Sequence, residues 1–217
     1  MEGRIKSRRL HLLEEIANSV TCGFGLCLSI AGLVILVVLA SFHGDAFRVV
    51  SFSIYGASLI FLYLTALFYH ALQHERAKHV FEIMDHSAVY VLIAGTYTPF
   101  MLVTLRGAWG WSLFGVIWSL VVFGIVFKSF HVKRFKVFSN IVYLVMGWLV
   151  VIAIQPMIKT LPFGGIAWLL AGGLLYSAGV LFYAFEKLPF GHVVWHLFVL
   201  GGSLCHFFSI FFYVLPK

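Results

Sequence analysis

Asn18-Ser19-Val20-Thr21-Cys22-Gly23-Phe24-Gly25-Leu26-Cys27-Leu28-Ser29-Ile30-Ala31-Gly32-Leu33-Val34-Ile35-Leu36-Val37-Val38-Leu39-Ala40-Ser41 contains no charged side chain. Coiled as an α-helix, such a run reaches about 36 Å at 1.5 Å per residue, enough to cross a hydrocarbon core of roughly 30 Å. A basic stretch precedes it, as in a secretory signal. The run is nevertheless too long for a signal core, follows Glu14 and Glu15, and lacks a small-x-small cleavage pattern at its end, so it reads as a retained span. Outward from it the same pattern recurs, giving spans near 18–41, 49–71, 85–105, 110–129, 138–157, 163–185 and 191–214. Between them lie His43-Gly44-Asp45, the polar run Gln73 to His79, Arg106-Gly107, His131 to Lys136, Lys159 with Pro162, and Glu186-Lys187-Leu188-Pro189. Only 11% of the 217 residues are charged and 62% are hydrophobic. A soluble domain carries roughly 25% charged residues, so a water-facing surface, a disordered chain and a coiled coil are all excluded. The expected fold is an all-α integral membrane protein, one seven-transmembrane-helix bundle over residues 1–217.

The net charge of +7 reads as topology. Arg4, Lys6, Arg8, Arg9, Arg76, Lys78, Lys128, Lys133, Arg134, Lys136 and Lys187 fall in one set of alternate connections. Arg48, Arg106, Lys159 and Lys217 fall in the other. Because basic loops stay inside, eleven against four predicts a cytoplasmic N-terminus and an external C-terminus. Charge distributed in this way predicts no nucleic-acid partner; membrane lipids are the expected surroundings. Lys133, Arg134 and Lys136 read either as a contact for anionic lipid or as ordinary inside bias. Cys22, Cys27 and Cys205 lie in apolar runs and argue against a disulfide scaffold. The glycine pairs Gly164-Gly165, Gly172-Gly173 and Gly201-Gly202 predict close helix packing.

Ionisable side chains inside a bilayer are costly, which makes each one a functional candidate. With this topology, His70 ends the second span, Asp85 and His86 open the third, and His192 and His196 open the seventh, all at one depth on the cytoplasmic side. His192 and His196, at i,i+4, project from one helix face about 6 Å apart. With His70 they form a three-imidazole set of the kind that holds zinc and leaves a fourth position for water. Asp85 is then placed to hold that water or take its proton. An i,i+4 pair of histidines also arises by chance, so the spacing alone leaves a purely structural pair open.

His206 lies 14 residues beyond His192, about 21 Å along the axis, too far to share the ion. It is expected to satisfy a hydrogen bond or line a cavity. His86 either bonds within the bundle or supports Asp85. Glu15 and Asn18 share a face where the first span begins, either ordering the site or capping and anchoring the helix. His11, His43, His74, His79 and His131 read as interfacial. Pro99, inside Ala94-Gly95-Thr96-Tyr97-Thr98-Pro99-Phe100, predicts a kink, with Tyr97 lining the opening it makes.

Glu15-x-x-Asn18-x-x-Thr21, Leu67-Phe68-Tyr69-His70, Asp85-His86-Ser87 with Gly95-Thr96-Tyr97-Thr98-Pro99-Phe100, and Gly191-His192-Val193-Val194-Trp195-His196 with His206 together span nearly the whole chain. In this combination the sequence resembles the hemolysin III branch of the progestin and adipoQ receptor family, related to alkaline ceramidases. The resemblance implies zinc on His70, His192 and His196, with Asp85 contacting it through water. Two positions depart from the family pattern. Ala66 stands where a serine is usual, with Thr65 beside it, and Cys22 follows Thr21 where many bacterial relatives have histidine.

Three functions follow as expectations. The first is zinc-dependent hydrolysis of a ceramide-like lipid amide, with a lipid as substrate or ligand. The second is a non-enzymatic membrane sensor or regulator with structural zinc. The third is the cytolysis in the family name, which helices apolar nearly all round do not favour. The expected location is a bacterial inner (plasma) membrane.

Overall fold

The computed structural model describes residues 2–131, 136–184 and 189–215, with side chains described for these except 2–8, 43, 131, 136 and 184. The lipid contact expected of Lys133, Arg134 and Lys136 and the turn at Glu186-Lys187-Leu188 lie outside the described residues, as do the side chains of Arg4, Lys6 and Arg8.

Seven described helical segments are long and apolar enough to cross a membrane. They are built from α1 (Glu2–His43), α2 (Ala46–Ala71), α3 (Glu75–Pro99), α4 (Ala108–His131), α5 (Lys136–Gly147), α6 (Ile154–Thr160), α7 (Phe163–Ala184) and α8 (Gly191–Tyr213). A π-helical turn, Phe100–Thr104, continues α3, and a 3-10 segment, Leu149–Ala153, joins α5 to α6 within one span. Sequence neighbours α1–α2, α2–α3, α3–α4 and α7–α8 pack side by side, and α8 returns against α1. This is the expected bundle, because a backbone in lipid must satisfy its own hydrogen bonds. Large apolar side chains such as Val122, Phe123, Phe130, Phe163 and Leu181 are exposed on its outside. In water that would be a liability; in a bilayer it is the solvated face.

Three details differ from the sequence reading. The second connection is only Leu72 to His74, since α3 already begins at Glu75, with the His74 imidazole accepting the Ala77 N–H. The run from Glu75 to His79, read as loop, is helix, and it carries Lys78 to an acidic partner on α1. At Pro99 the ring fits the last α-helical position and the ladder shifts to a π turn, a local widening often found at functional sites. The fifth span is broken at Trp148. Pro156 fits only the first turn of α6, where its missing N–H costs nothing. The Tyr97 hydroxyl bridges the break, donating to the Gly147 carbonyl at 2.7 Å and accepting the Val150 N–H at 2.8 Å.

The end of the bundle at the α1–α2 connection is tied by Asp45. Its carboxylate caps α2 by accepting the Arg48 N–H at 3.1 Å and meets the Arg106 guanidinium at 3.0 Å. The Arg48 N–H and the two nearby positive charges hold the Asp45 carboxyl below the usual carboxylate range. Arg106 also lies over the Phe47 ring, and Gly107 turns the chain there with φ +123.

Two of the glycine pairs contribute chiefly through one member, Gly172 facing the His206 ring and Gly202 facing Tyr176, while in the third Gly164 faces Tyr213 and Gly165 faces Leu161 and Tyr213. α3 comes close to α2 at Gly95, where any Cβ would collide with the Ser58 side chain. Gly95→Ala is expected to destabilise the protein by about 1–3 kcal/mol through overpacking. An unchanged melting temperature in detergent would contradict this packing.

Candidate metal centre

His70 is the penultimate residue of α2, and His192 and His196 occupy the first two turns of α8. The turn into α8 is made by Phe190 in the left-handed region, φ 58, a conformation costly for a bulky side chain that persists only under surrounding constraint. The outcome is that three imidazoles from two helices meet at one end of the bundle. His70 Nε2 lies 3.3 Å from His192 Nε2 and 3.2 Å from His196 Nε2, and the ligand atoms of all three lie within 4.8 Å of one another. The rings meet edge-on rather than stacked, His70 at 73° to His192 and 90° to His196. His70 and His196 are buried.

Zinc–imidazole bonds of about 2.0–2.1 Å at tetrahedral angles put neighbouring nitrogens about 3.3–3.4 Å apart, close to the separation of His70 Nε2 from each of the other two nitrogens. The His70 ring is oriented by Glu15, whose Oε2 accepts the Nδ1–H at 2.7 Å. This leaves the Nε2 lone pair facing two other ring nitrogens at once. One lone pair cannot serve both neighbours, whereas a shared cation would. Glu15 is held in turn by Lys78, Nζ to Oε1 at 2.7 Å. The carboxylate–imidazole arrangement is the usual support of a metal-bound histidine.

Asp85 is not among the converging atoms. It lines a cavity beside them, together with His196, Thr96, Tyr97, Trp148 and His206. That cavity is about 110 Å³, several times the roughly 10–15 Å³ that one water requires. Its walls are largely apolar, with Leu62, Val89 and Val199 among them. Ala66 also lines it, at the position where the family pattern has serine. The neighbouring Thr65 hydroxyl is bonded to its own helix, at the Phe61 and Leu62 carbonyls.

His86 bonds within the bundle. Its Nδ1 donates to the Glu82 carbonyl at 2.7 Å, its Nε2 meets the Tyr183 hydroxyl at 3.5 Å, and its Nδ1 is 3.9 Å from Asp85, beyond hydrogen-bond reach. Asn18 is buried one turn from Glu15, and its Oδ1 has no partner among the described residues. Tyr97 lines the cavity while bridging the helix break, and His206 lines it with Nε2 donating to the Leu169 carbonyl at 3.1 Å. Cys22 is buried and unpaired with another cysteine.

The sequence reading missed Lys78, which it counted only as a topology charge, and Thr96 and Trp148 of the cavity wall. Thr96 was detectable: it follows Asp85 by eleven residues, about three full turns, and so lies on the same face of α3.

Residues 10–207 match the family described as Haemolysin-III related. The chain belongs to that family. It is similar to Hemolysin-3 of Bacillus cereus, 53% identical over 203 residues that cover 94% of this chain and 93% of that protein. The Hemolysin-3 homolog of Bacillus subtilis (strain 168) is 52% identical over 200 residues, covering 92% and 94%. Monocyte to macrophage differentiation factor of Homo sapiens is 27% identical over 207 residues, covering 93% and 84%. The resemblance carried by the motifs is borne out, and the haemolysin-III match takes in every candidate residue from Glu15 to His206.

Proposed function

We propose that this haemolysin-III family protein is a zinc-dependent hydrolase of a lipid amide, ceramide-like in type, working near the cytoplasmic face of a bacterial inner membrane. The observation that carries this reading is the shared position of His196, which belongs both to the converging imidazoles and to the wall of an apolar cavity that also holds Asp85. An apolar chain fits such walls, and a polar linkage fits the end where the imidazoles and the carboxylate meet.

His70, His192 and His196 would hold the ion. Bound there, zinc supplies Lewis acidity toward a carbonyl and lowers the pKa of water toward about 7. Asp85 accepts a proton at its carboxylate and can return it to a departing amine nitrogen, as general bases do. Glu15 fixes the His70 ring so that Nε2 points inward, and Lys78 holds Glu15 in place. In this reading Glu15→Gln retains the shape but weakens the hold on the His70 ring. Zinc affinity is expected to fall about 10–100-fold, measured by competition with a chelator; unchanged affinity would remove Glu15 from the site.

A second reading has one observation in its favour. Ala66 presents no hydroxyl to the cavity, and Thr65 turns its own into the helix. If the family serine is needed for chemistry, zinc here serves to lock α2 to α8 in a membrane sensor or regulator. The two readings are separated by incubating zinc-loaded protein with a panel of ceramides and other acyl amides and measuring fatty acid release. Release supports the hydrolase. No release from any member by fully loaded protein would end it.

A further inference from the structure

The cavity has a second polar pole. His206 follows His196 by ten residues on α8, and Thr96 follows Asp85 by eleven on α3. The two pairs therefore lie about 15 and 16 Å apart along their helices at 1.5 Å per residue. All four residues line one cavity, and Thr96 and His206 also line the smaller one that adjoins it, along with Tyr97, Gly147, Trp148 and Gly173. The space thus extends from the imidazole end toward the interior of the bundle.

At this deep end the hydrogen-bonding ledger is open. His206 is 8% exposed and Thr96 5%. Neither His206 Nδ1 nor Thr96 Oγ1 has a partner among the described residues. Buried polar atoms without partners are rare and call for an explanation, because each costs about 1–3 kcal/mol. The His206 ring cannot turn to find one. Its Nε2–H is committed to the Leu169 carbonyl at 3.1 Å, and the ring is seated on Gly172, where a Cβ would collide with it. With the proton on Nε2, Nδ1 is an acceptor only. The Thr96 hydroxyl can donate or accept. Other polar groups nearby are already paired: Tyr176 and Tyr63 both meet the Ser203 hydroxyl, at 2.9 and 3.2 Å.

We propose that the deep end of the cavity is a recognition site for a hydroxyl on a lipid chain, which donates to His206 Nδ1 and accepts from Thr96 Oγ1. The requirement to do both selects the chemistry. A ketone would set its lone pairs against that of Nδ1, and a plain methylene would leave both atoms unpaired. The ligand is therefore an amphiphile with its polar linkage at the imidazole end and a hydroxyl on the order of 15 Å further along its chain. This deepens the hydrolase reading by naming the substrate class, and it rests on that reading only for what happens at the imidazole end.

Binding, not turnover, tests it. Detergent-solubilised protein, with and without zinc, is titrated with stearoyl, mid-chain hydroxystearoyl and mid-chain oxostearoyl amides, and affinity is read from displacement of a fluorescent fatty acyl probe. The hydroxylated chain is expected to bind about tenfold more tightly than the plain one, and the oxo chain no more tightly than the plain one. Thr96→Val, which conserves shape, and His206→Phe should each abolish the preference; the former keeps the test valid if the latter does not fold. Equal affinity for the three chains in the wild type, as when water alone fills the pole, would overturn the proposal. So would a preference that survives in both variants. A hydroxyl preference without fatty acid release from any amide would uphold this site and end the hydrolase, whereas release without preference would do the reverse.

Discussion

Replacing His192 and His196 together by alanine is expected to abolish stoichiometric zinc. Imidazole-rich and thiolate-rich structural sites hold zinc with about 10–16 kcal/mol. Removing two of three protein ligands should forfeit roughly half of that, about 6 kcal/mol, or about 10⁴-fold in affinity. Wild-type protein passed over a chelating resin should therefore retain about one zinc per chain while the double variant retains none. A second consequence follows from where the ligands sit. His70 ends α2 and the other two begin α8, so the ion would crosslink two helices distant in sequence, and its loss should lower the melting temperature as well. Equal zinc in the two proteins would remove these residues from the site. His196→Gln, which keeps the side chain polar, guards against reading a folding failure as a loss of metal.

Asp85→Asn should separate chemistry from metal binding. The substitution conserves volume in the cavity wall and removes the group that takes the proton. Since Asp85 is not among the atoms converging on the metal position, zinc content should stay at the wild-type level. Lipid-amide hydrolysis should fall by about 10²–10⁴-fold, the usual contribution of a positioned general base. Full hydrolysis by the variant would take Asp85 out of the reaction. Loss of zinc along with hydrolysis would instead make it a ligand, contrary to its position in the wall.

Much of this architecture is legible in the sequence because a bilayer leaves a chain few choices. An apolar run such as Asn18 to Ser41 has to be a helix, and punctuation such as His43-Gly44-Asp45 has to be a connection. The three imidazoles were legible because i,i+4 spacing fixes His192 and His196 on one face and the alternation of spans brings His70 to the same end. What remained hidden depends on contacts between segments. The break in the fifth span involves Pro156, a residue that first-turn geometry accommodates, and a tyrosine hydroxyl from another helix bridges it. Lys78 counts as one more inside charge until α3 is seen to begin early enough to bring it to Glu15. The cavity, too, is a property of packing: Trp148, Gly173 and Thr96 line it together from three different spans.

X-ray absorption at the zinc edge of the purified wild-type protein tests the central claim most directly. Three imidazole nitrogens and one oxygen, all at about 2.0–2.2 Å, are the predicted shell. A sulfur scatterer at about 2.3 Å, implicating a cysteine such as Cys22, or protein that purifies without zinc and takes none up, would contradict a metal centre built from His70, His192 and His196.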